Sequence, residues 1–400
     1  MTPRAISCLW VVLPICIHGI LLADAGNQIF NVKKFGAKAD GETDDRKAVL
    51  DAWNAACASN GRPRVVIPPG TFLIGQTKFE GPCPGAYPIV VEVKGKVIAP
   101  TDLSQFSSDD WISFSKVHGL VLTGGGVFDG RGSSAWPSND CLTSANCKLL
   151  PTSLKFNFLT NSTIRRISSV DSKFFHMIIF GSENVKAHDL RISAPSDSPN
   201  TDGIHIGDST GIAVSRSVIG TGDDCISIGP GSNLITISNI ICGPGHGISV
   251  GSLGKYRDEK DVTDLRVRNC TFRNTTNGLR IKTWPASGVL HAKNFTFEDI
   301  IMKNVHNPII IDQKYCPYDS CPTEEAPSKV KISNVNFRNV KGTSTSQVAV
   351  NLICSKAFPC EGVTLSDIDL KYNGEEGKAT SSCFNVNGFS SGTQVPPPCV

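Results

Sequence analysis

Residues 202–207 read DGIHIG, and the chain returns to the same pattern at 224–229, DCISIG, and at 246–251, HGISVG, ungapped and at a constant step of 22 residues. An interval of about 20–50 residues is the signature of a solenoid. Within each copy the apolar residues alternate: Ile204 and Ile206, Ile226 and Ile228, Ile248 and Val250. Alternation of this kind belongs to a strand with one buried face. If the copies stack as parallel strands about 4.8 Å apart, the isoleucines form a continuous core and His205, Ser227 and Ser249 stand in a row outside it. Asp202, Asp224 and His246 then make a ladder, with Asp223 beside its middle rung. The next coil, Asn277-Gly-Leu-Arg-Ile-Lys282, puts Arg280 level with the outer row and Lys282 level with Gly229 and Gly251. Three carboxylates, a histidine and two cations are thereby expected in one groove.

A second unit, apolar-x-apolar-x-Asn/Asp-apolar, extends the repeat over much of the chain. It begins at Val185, Ile235, Leu265, Leu290, Val330 and Val363, with a degenerate copy at Ile212. The fifth positions, from Asp189 to Asp367, step by 27, 23, 30, 25, 40 and 33 residues. Strands at this interval without helices between them predict an all-β fold, a single-stranded parallel β-helix. A β-sandwich is the structural rival, but it calls for turns every 8–12 residues or so. Open solenoid ends expose core and strand edges, so a cap is expected. Thr43-Asp44-Asp45 is placed to start a helix whose Val49, Leu50, Trp53 and Ala56 share one side. No linker-like segment marks a second domain.

The chain has 400 residues, 40% of them apolar, with 37 Gly and 24 Pro, which is ample for a globular core. Residues 1–25 read as a secretory signal: Arg4, an apolar run through Leu21 and Leu22, and Ala23-Asp24-Ala25 as a small-x-small cleavage site. The run is short for a membrane anchor and is interrupted by Pro14 and His18. The expected mature domain is residues 26–400, in a secreted protein read as a monomer with no membrane partner. Of 15 cysteines, two leave with the signal, and the remaining 13 suit an oxidising compartment as six bridges and one thiol. Close spacing suggests Cys141 with Cys147, Cys316 with Cys321, Cys354 with Cys360 and Cys383 with Cys399, leaving Cys270 as the candidate thiol. No CxxC pair supports a zinc site. Four N-x-S/T sequons begin at Asn161, Asn269, Asn274 and Asn294. A net charge of +3, spread along the chain, argues against a nucleic-acid partner.

Carboxylates crowded within one or two coil spacings cannot all ionise at their ordinary pKa, so at least one is expected to be raised. That supplies an acid and a base from one residue type, the equipment for hydrolysing a glycosidic bond. A solvated turn would explain one Asp-Asp pair, but not a pair repeated in register with two other rungs. The Gly-rich corners contain no GxxxxGK[ST] and are read as tight turns rather than phosphate cradles. His205 is read as a surface rung or a substrate contact. His118, His176, His188, His291 and His306 show no partner pattern.

Asn200-Thr-Asp-Gly203, Gly222-Asp-Asp224, Gly245-His-Gly247 and Arg280-Ile-Lys282, in this order, resemble the four signature motifs of the polygalacturonases, glycoside hydrolase family 28. The resemblance runs from Phe35-Gly-Ala-Lys-Ala-Asp-Gly41 to the last cysteines, and is nearest the plant pollen-type exopolygalacturonases through Gly251-Ser-Leu-Gly-Lys-Tyr256 and Asp312-Gln-Lys-Tyr-Cys-Pro317. It implies a right-handed parallel β-helix acting on polygalacturonate in pectin, cleaving α-1,4 links with inversion and without metal or other cofactor. By the same resemblance Asp223 is the general acid, Asp202 and Asp224 hold and deprotonate water, and His246 tunes the acid. Arg280 and Lys282 take the substrate carboxylate, Asn200 lines the cleft and Tyr315 contacts sugar. Exo action is implied by the pollen-type likeness; an endo enzyme shares the same motifs. A calcium-dependent pectate lyase and a non-catalytic cell-wall binding protein are the alternatives from other classes.

Overall fold

The computed structural model describes residues 2, 28–141, 144, 147–317 and 326–400. The expected secretory signal, residues 1–25, lies outside the described residues apart from Thr2.

After the capping helix, each coil contributes one strand to an 11-stranded parallel sheet running from Thr77–Glu80 to Thr380–Phe384. The chain then turns and contributes the rest of the coil to a 19-stranded sheet. Successive coils pair in parallel throughout, which is a right-handed parallel β-helix. The 22-residue register holds: Ile204 pairs with Ile226, Ile226 with Ile248 and Ile248 with Leu279. These four side chains are fully buried, as are Ile206 and Ile228, so the interior is a stack of like on like. Aromatic residues stack in the same way, Phe79 on Phe114 at 4.7 Å and Phe297 on Phe337 at 5.0 Å between ring centroids.

The pairing corrects the register expected of the second repeat. Leu265 pairs with Phe295, not with Leu290, while Leu290 pairs with Val330. The copies at Leu290 and Val330 therefore lie one turn earlier in the coil than the other five. Each coil bends twice through a residue in the left-handed region. One ladder of bends comprises Asp189, Arg216, Asn239, Asn269, Asp299, Asn339 and Asp367, and the other includes Asn184, Asp264, Asn294 and Asn334, all at φ between 46° and 64°. Asn and Asp tolerate this conformation better than other non-glycine residues, so both bends show the same apolar-x-apolar-x-Asn text. Their side chains also bond rung to rung: Asn269 Nδ2 donates to Asn239 Oδ1 at 2.6 Å and Asn339 Nδ2 to Asp299 Oδ1 at 2.7 Å. All four sequon asparagines have positive φ (51° to 64°), so the bends alone account for asparagine there.

The N-terminal end is capped by the helix Arg46–Cys57. Its Ala48, Val49, Ala52, Trp53 and Ala56 are buried, and the Trp53 ring lies 5.2 Å from that of Phe79. Leu50 is only partly buried, because it stands at the margin of that face. Asp45 stands at the N-cap without a side-chain cap bond, because its carboxylate turns back to accept from Lys38 and Ala39 N–H, while Asp44 Oδ1, one residue earlier, accepts from Arg46 N–H at 2.9 Å. Bridges join Cys141–Cys147, Cys354–Cys360 and Cys383–Cys399 as the spacing suggested, and Cys270 is a buried thiol. Two longer-range bridges, Cys57–Cys83 and Cys225–Cys242, complete those among the described residues whose partners are both described. Cys321 lies outside the described residues.

The ladder predicts a separable backbone and side-chain effect at Asn339, which has φ +50° and donates to Asp299. Asn339→Ala should lose about 1–2 kcal/mol from the bond and the left-handed bend, and Asn339→Gly less, since Gly takes that bend freely. Urea unfolding midpoints check this, and equal losses would contradict it.

Candidate active site

Asp202, Asp224 and His246 each precede a strand of the 11-stranded sheet, in the segments that lead into Ile204–Gly207, Ile226–Ile228 and Ile248–Leu253. Backbone bonds lock these rungs together: Gly203 N–H donates to Asp224 O and Cys225 N–H to Gly247 O, both at 2.8 Å. The corner between the first two rungs is tight. A Cβ on Gly222 would lie 2.0 Å from Ser198 O, so only glycine lets the Asp223-Asp224 corner approach the coil below. Thr201, fully buried, accepts the Gly222 N–H at 3.0 Å and fixes that approach.

The outward row supplies the groups that hold the carboxylates. Ser227 Oγ donates to Asp202 Oδ2 and Ser249 Oγ to Asp224 Oδ1, each at 2.7 Å. Arg280 reaches Asp224 Oδ1 at 2.7 Å and Ser249 Oγ at 2.9 Å, and Lys282 Nζ reaches Asp224 Oδ2 at 2.9 Å. Asp223 is the accessible member: its side chain is 17% exposed against 1% for Asp224. Its Oδ1 accepts from Asp224 N–H at 2.8 Å and faces His246 Nδ1 at 2.9 Å. His205 Nδ1 faces Ser227 Oγ at 2.8 Å, which makes it a support for Asp202 through the serine.

Burial, and then the charges of Asp223 and Asp224, push the Asp202 carboxyl well above the usual carboxylate range. Burial would raise Asp224 too, but Arg280 and Lys282 outweigh it and hold that carboxyl below the usual range. Burial, helped by the charge of Lys282, lowers the His205 imidazole to about 4 and keeps it neutral. The crowding expected of the ladder is thus present, and its upward shift falls on Asp202.

Arg280 and Lys282 lie in the groove with side chains 11% and 9% exposed, already paired with Asp224. Each keeps N–H donors beyond those contacts. Tyr315 lies beside them, its ring 5.2 Å from Lys282 Nζ and 5.7 Å from the Trp284 ring. Asn200 borders the other side, where its Oδ1 accepts from Asn139 Nδ2 at 3.2 Å. Ser227, Ser249, Trp284 and Asn139 carry no role that the sequence assigns. The two serines are visible there as outward rungs, whereas Trp284 and Asn139 come from loops with no register to mark them.

Asp223, Asp224 and His246 bring ligand atoms within 4.8 Å of one another, close enough to share a cation. Both oxygens of Asp224 are, however, engaged by Ser249, Arg280 and Lys282, so a divalent ion would have to displace two cations. The donor set fits an internal ion cluster better than a calcium site.

A family model described as glycosyl hydrolases family 28 matches residues 57–394. A second, described as rhamnogalacturonase A/epimerase, pectate lyase-like, matches residues 29–78. An exopolygalacturonase of Platanus acerifolia is 47% identical, over 93% of this chain and 98% of its own. A polygalacturonase of Gossypium hirsutum is 50% identical, over 92% and 89%. Among solved structures, an endo-xylogalacturonan hydrolase from Aspergillus tubingensis superposes with a TM-score of 0.79 at 28% identity, over 92% of this chain and all of its own. An exopolygalacturonase from Thermotoga maritima does so at 0.74 and 20% identity, over 86% and 87%, a likeness of fold.

Because the folded state raises the Asp202 pKa, protonation of this group favours folding. Its contribution is present below the unfolded value near 4 and is lost as pH rises through the raised folded value. Asp202→Asn, which cannot ionise, should therefore melt above the unsubstituted chain at pH 7, with the gain shrinking to nothing at pH 4. Thermal melts at the two pH values measure it; a gain independent of pH would place the strain elsewhere.

Proposed function

This chain belongs to glycosyl hydrolases family 28, and from that premise we propose that it is a polygalacturonase that hydrolyses α-1,4 galacturonide links by acid-base catalysis. The observation that carries the reading is the ladder of three carboxylates in which one is desolvated with its pKa pushed up, one is clamped by two cations and one faces the open groove.

In the proposed mechanism Asp223, the carboxyl with access to the cleft, gives a proton to the leaving oxygen. Water held between Asp202 and Asp224 attacks the anomeric carbon, and Asp202 takes its proton. The free triad keeps one proton on Asp202. Moving it to Asp223 as substrate binds arms the acid and leaves Asp202 ionised as base, so a titration belongs to the group of residues rather than to one member. The cycle ends with the proton it began with. His246, at 2.9 Å, holds Asp223 in orientation. Asp224 is kept ionised by Arg280 and Lys282, whose remaining N–H donors face the sugar carboxylate. Asn200 and Tyr315 border the bound chain. With Asp224 blunted by its cations, direct attack by water, and hence inversion, is preferred to a covalent intermediate.

Exo action is part of the proposal. Relatives named exopolygalacturonase are 45–48% identical across about nine-tenths of this chain. The Cys141–Cys147 bridge ties the chain next to Asn139, which accepts the Cys141 N–H and bonds Asn200 at one wall of the groove. A stiff wall loses little entropy on binding and can block a chain beyond one subsite. Release into an oxidising, extracellular compartment, the plant cell wall, accords with the five described bridges. No helix among the described residues is long and apolar enough to cross a membrane.

Asp223→Asn keeps the shape of the acid but delivers no proton, and should lower kcat by about 10²–10⁴-fold with little change in substrate binding. Retention of more than about a tenth of kcat would remove Asp223 from that role. On polygalacturonate with EDTA, the unsubstituted chain should release galacturonate monomer alone at early times while viscosity falls slowly. A mixed oligomer ladder with rapid thinning indicates an endo enzyme, and unsaturated products that need added calcium indicate a lyase.

A further inference from the structure

A second charged hollow lies away from the catalytic rungs, on the 19-stranded sheet and in the N-terminal coils. It has a volume of about 550 Å³ and is walled by Arg64, Glu92, Thr123, Arg165 and Arg166, with Pro88, Val90 and Val121 as its apolar part. The register explains the grouping. Val90 pairs with Val121 and Glu92 with Thr123, and on the far side Thr163 pairs with Val121, which sets Arg165 level with Thr123. Inward neighbours Leu122 and Ile164 are fully buried, so Thr123 and Arg165 stand on the outer face. The bend at Gly124-Gly125 and Arg166 closes one end, and a Cβ on Gly125 would meet nothing within 4 Å.

The charges in this hollow do not balance. Glu92 is shared by Arg64 at 3.1 Å and Lys94 at 3.3 Å. Arg165 and Arg166 have no side-chain hydrogen bond or ion pair among the described residues. Arg165 Nε is shut off from solvent without a partner, and so is the Oγ1 of Thr123, a residue only 8% exposed. Orphaned buried donors are uncommon in folded proteins and each calls for an acceptor. Further along the same sheet the opposite holds, with Glu298 lying between Arg266 and Arg338. Arg165 Nε and Thr123 Oγ1 are closed to solvent, so an oxyanion in the hollow would meet the outer guanidinium nitrogens of Arg165 and Arg166, and a planar carboxylate suits that fork. The adjoining valines and proline suit the C–H face of a sugar ring.

We propose that this hollow is a second binding site for an acidic saccharide, its uronate carboxylate held by Arg165 and Arg166 and its ring against Val90 and Val121. The choice of a uronate over another carboxylate-bearing sugar rests on the polygalacturonase reading. Such a site anchors the polymer on one face while the catalytic groove works on another.

Titration calorimetry of Asp223→Asn protein with tetragalacturonate should show two sites per chain. Adding Arg165→Gln and Arg166→Gln should weaken one of them by about tenfold or more and leave the other unchanged. Arg166→Gln by itself should weaken the same site alone, and keeps the test open if the Arg165 change perturbs folding. In otherwise unsubstituted protein the paired Arg changes should leave turnover of trigalacturonate intact and slow attack on insoluble pectate. Inorganic phosphate, the small-anion arm, should compete at this site only. One site per chain, or two sites that survive the Arg changes, overturns the proposal, as does binding of phosphate without tetragalacturonate. Failure of the unsubstituted chain to release galacturonate would overturn the catalytic reading while leaving two-site binding to stand by itself.

Discussion

The backbone hydrogen bonds between successive coils are the constraint on which the rest depends. They fix residues of equal register at one rung spacing, and in this chain Gly203 N–H to Asp224 O and Cys225 N–H to Gly247 O are the bonds that align the carboxylate rungs. A carboxylate on one rung has no freedom to move away from a carboxylate on the next. The buried isoleucines beneath them, Ile204, Ile226 and Ile248, keep the alignment from slipping by one residue, which would turn every outward group into the core. Cys225 adds a covalent tie, since its bridge to Cys242 runs from the residue after Asp224 to the end of the same coil's next strand. The stack holds the carboxylates together, and their mutual repulsion follows from it.

How that repulsion is resolved decides the chemistry. Two cations on Asp224 satisfy both its oxygens, and the assembly of Asp224, Arg280, Lys282 and Ser249 is buried as a unit. Such clusters are seldom a source of stability, because desolvation offsets most of the attraction. Here the cluster instead fixes which carboxylate stays ionised, and leaves the upward pKa shift to Asp202, which accepts from the Ser227 hydroxyl and has no cation clamped to it.

Much of this is legible in the sequence, and the exceptions have physical causes. The 22-residue register can be read because side chains on stacked rungs meet like with like, so Asp202, Asp224 and His246 stand at identical offsets. The capping helix is legible from one apolar face. The copies at Leu290 and Val330 mislead because both bends of a coil demand the same left-handed Asn after the same alternation. Short-loop cysteines pair as their spacing suggests, while Cys57–Cys83 and Cys225–Cys242 join segments brought together only in the fold. Ser227 and Ser249 can be placed but not given roles, since a serine on an outer row looks like any solvated residue until its acceptor is known. Trp284 and Asn139 reach the groove from loops, where periodicity carries no information.

Coils of unequal length share one register. The bends at Asn239 and Asn269 are 30 residues apart, those at Asn294 and Asn334 are 40, yet Phe295 and Val335 still pair. The additional residues fall between the strands Asn307–Asp312 and Val330–Ser344, the stretch that carries Tyr315 to the groove. Insertion and deletion are thereby uncoupled from the core. A lineage can lengthen or shorten such a stretch in single steps, each one reshaping the rim of the groove, while the rungs that carry the carboxylates are inherited unaltered. Diversity of substrate within one ancestral frame is the evolutionary counterpart of a fold whose variable parts are confined to its corners.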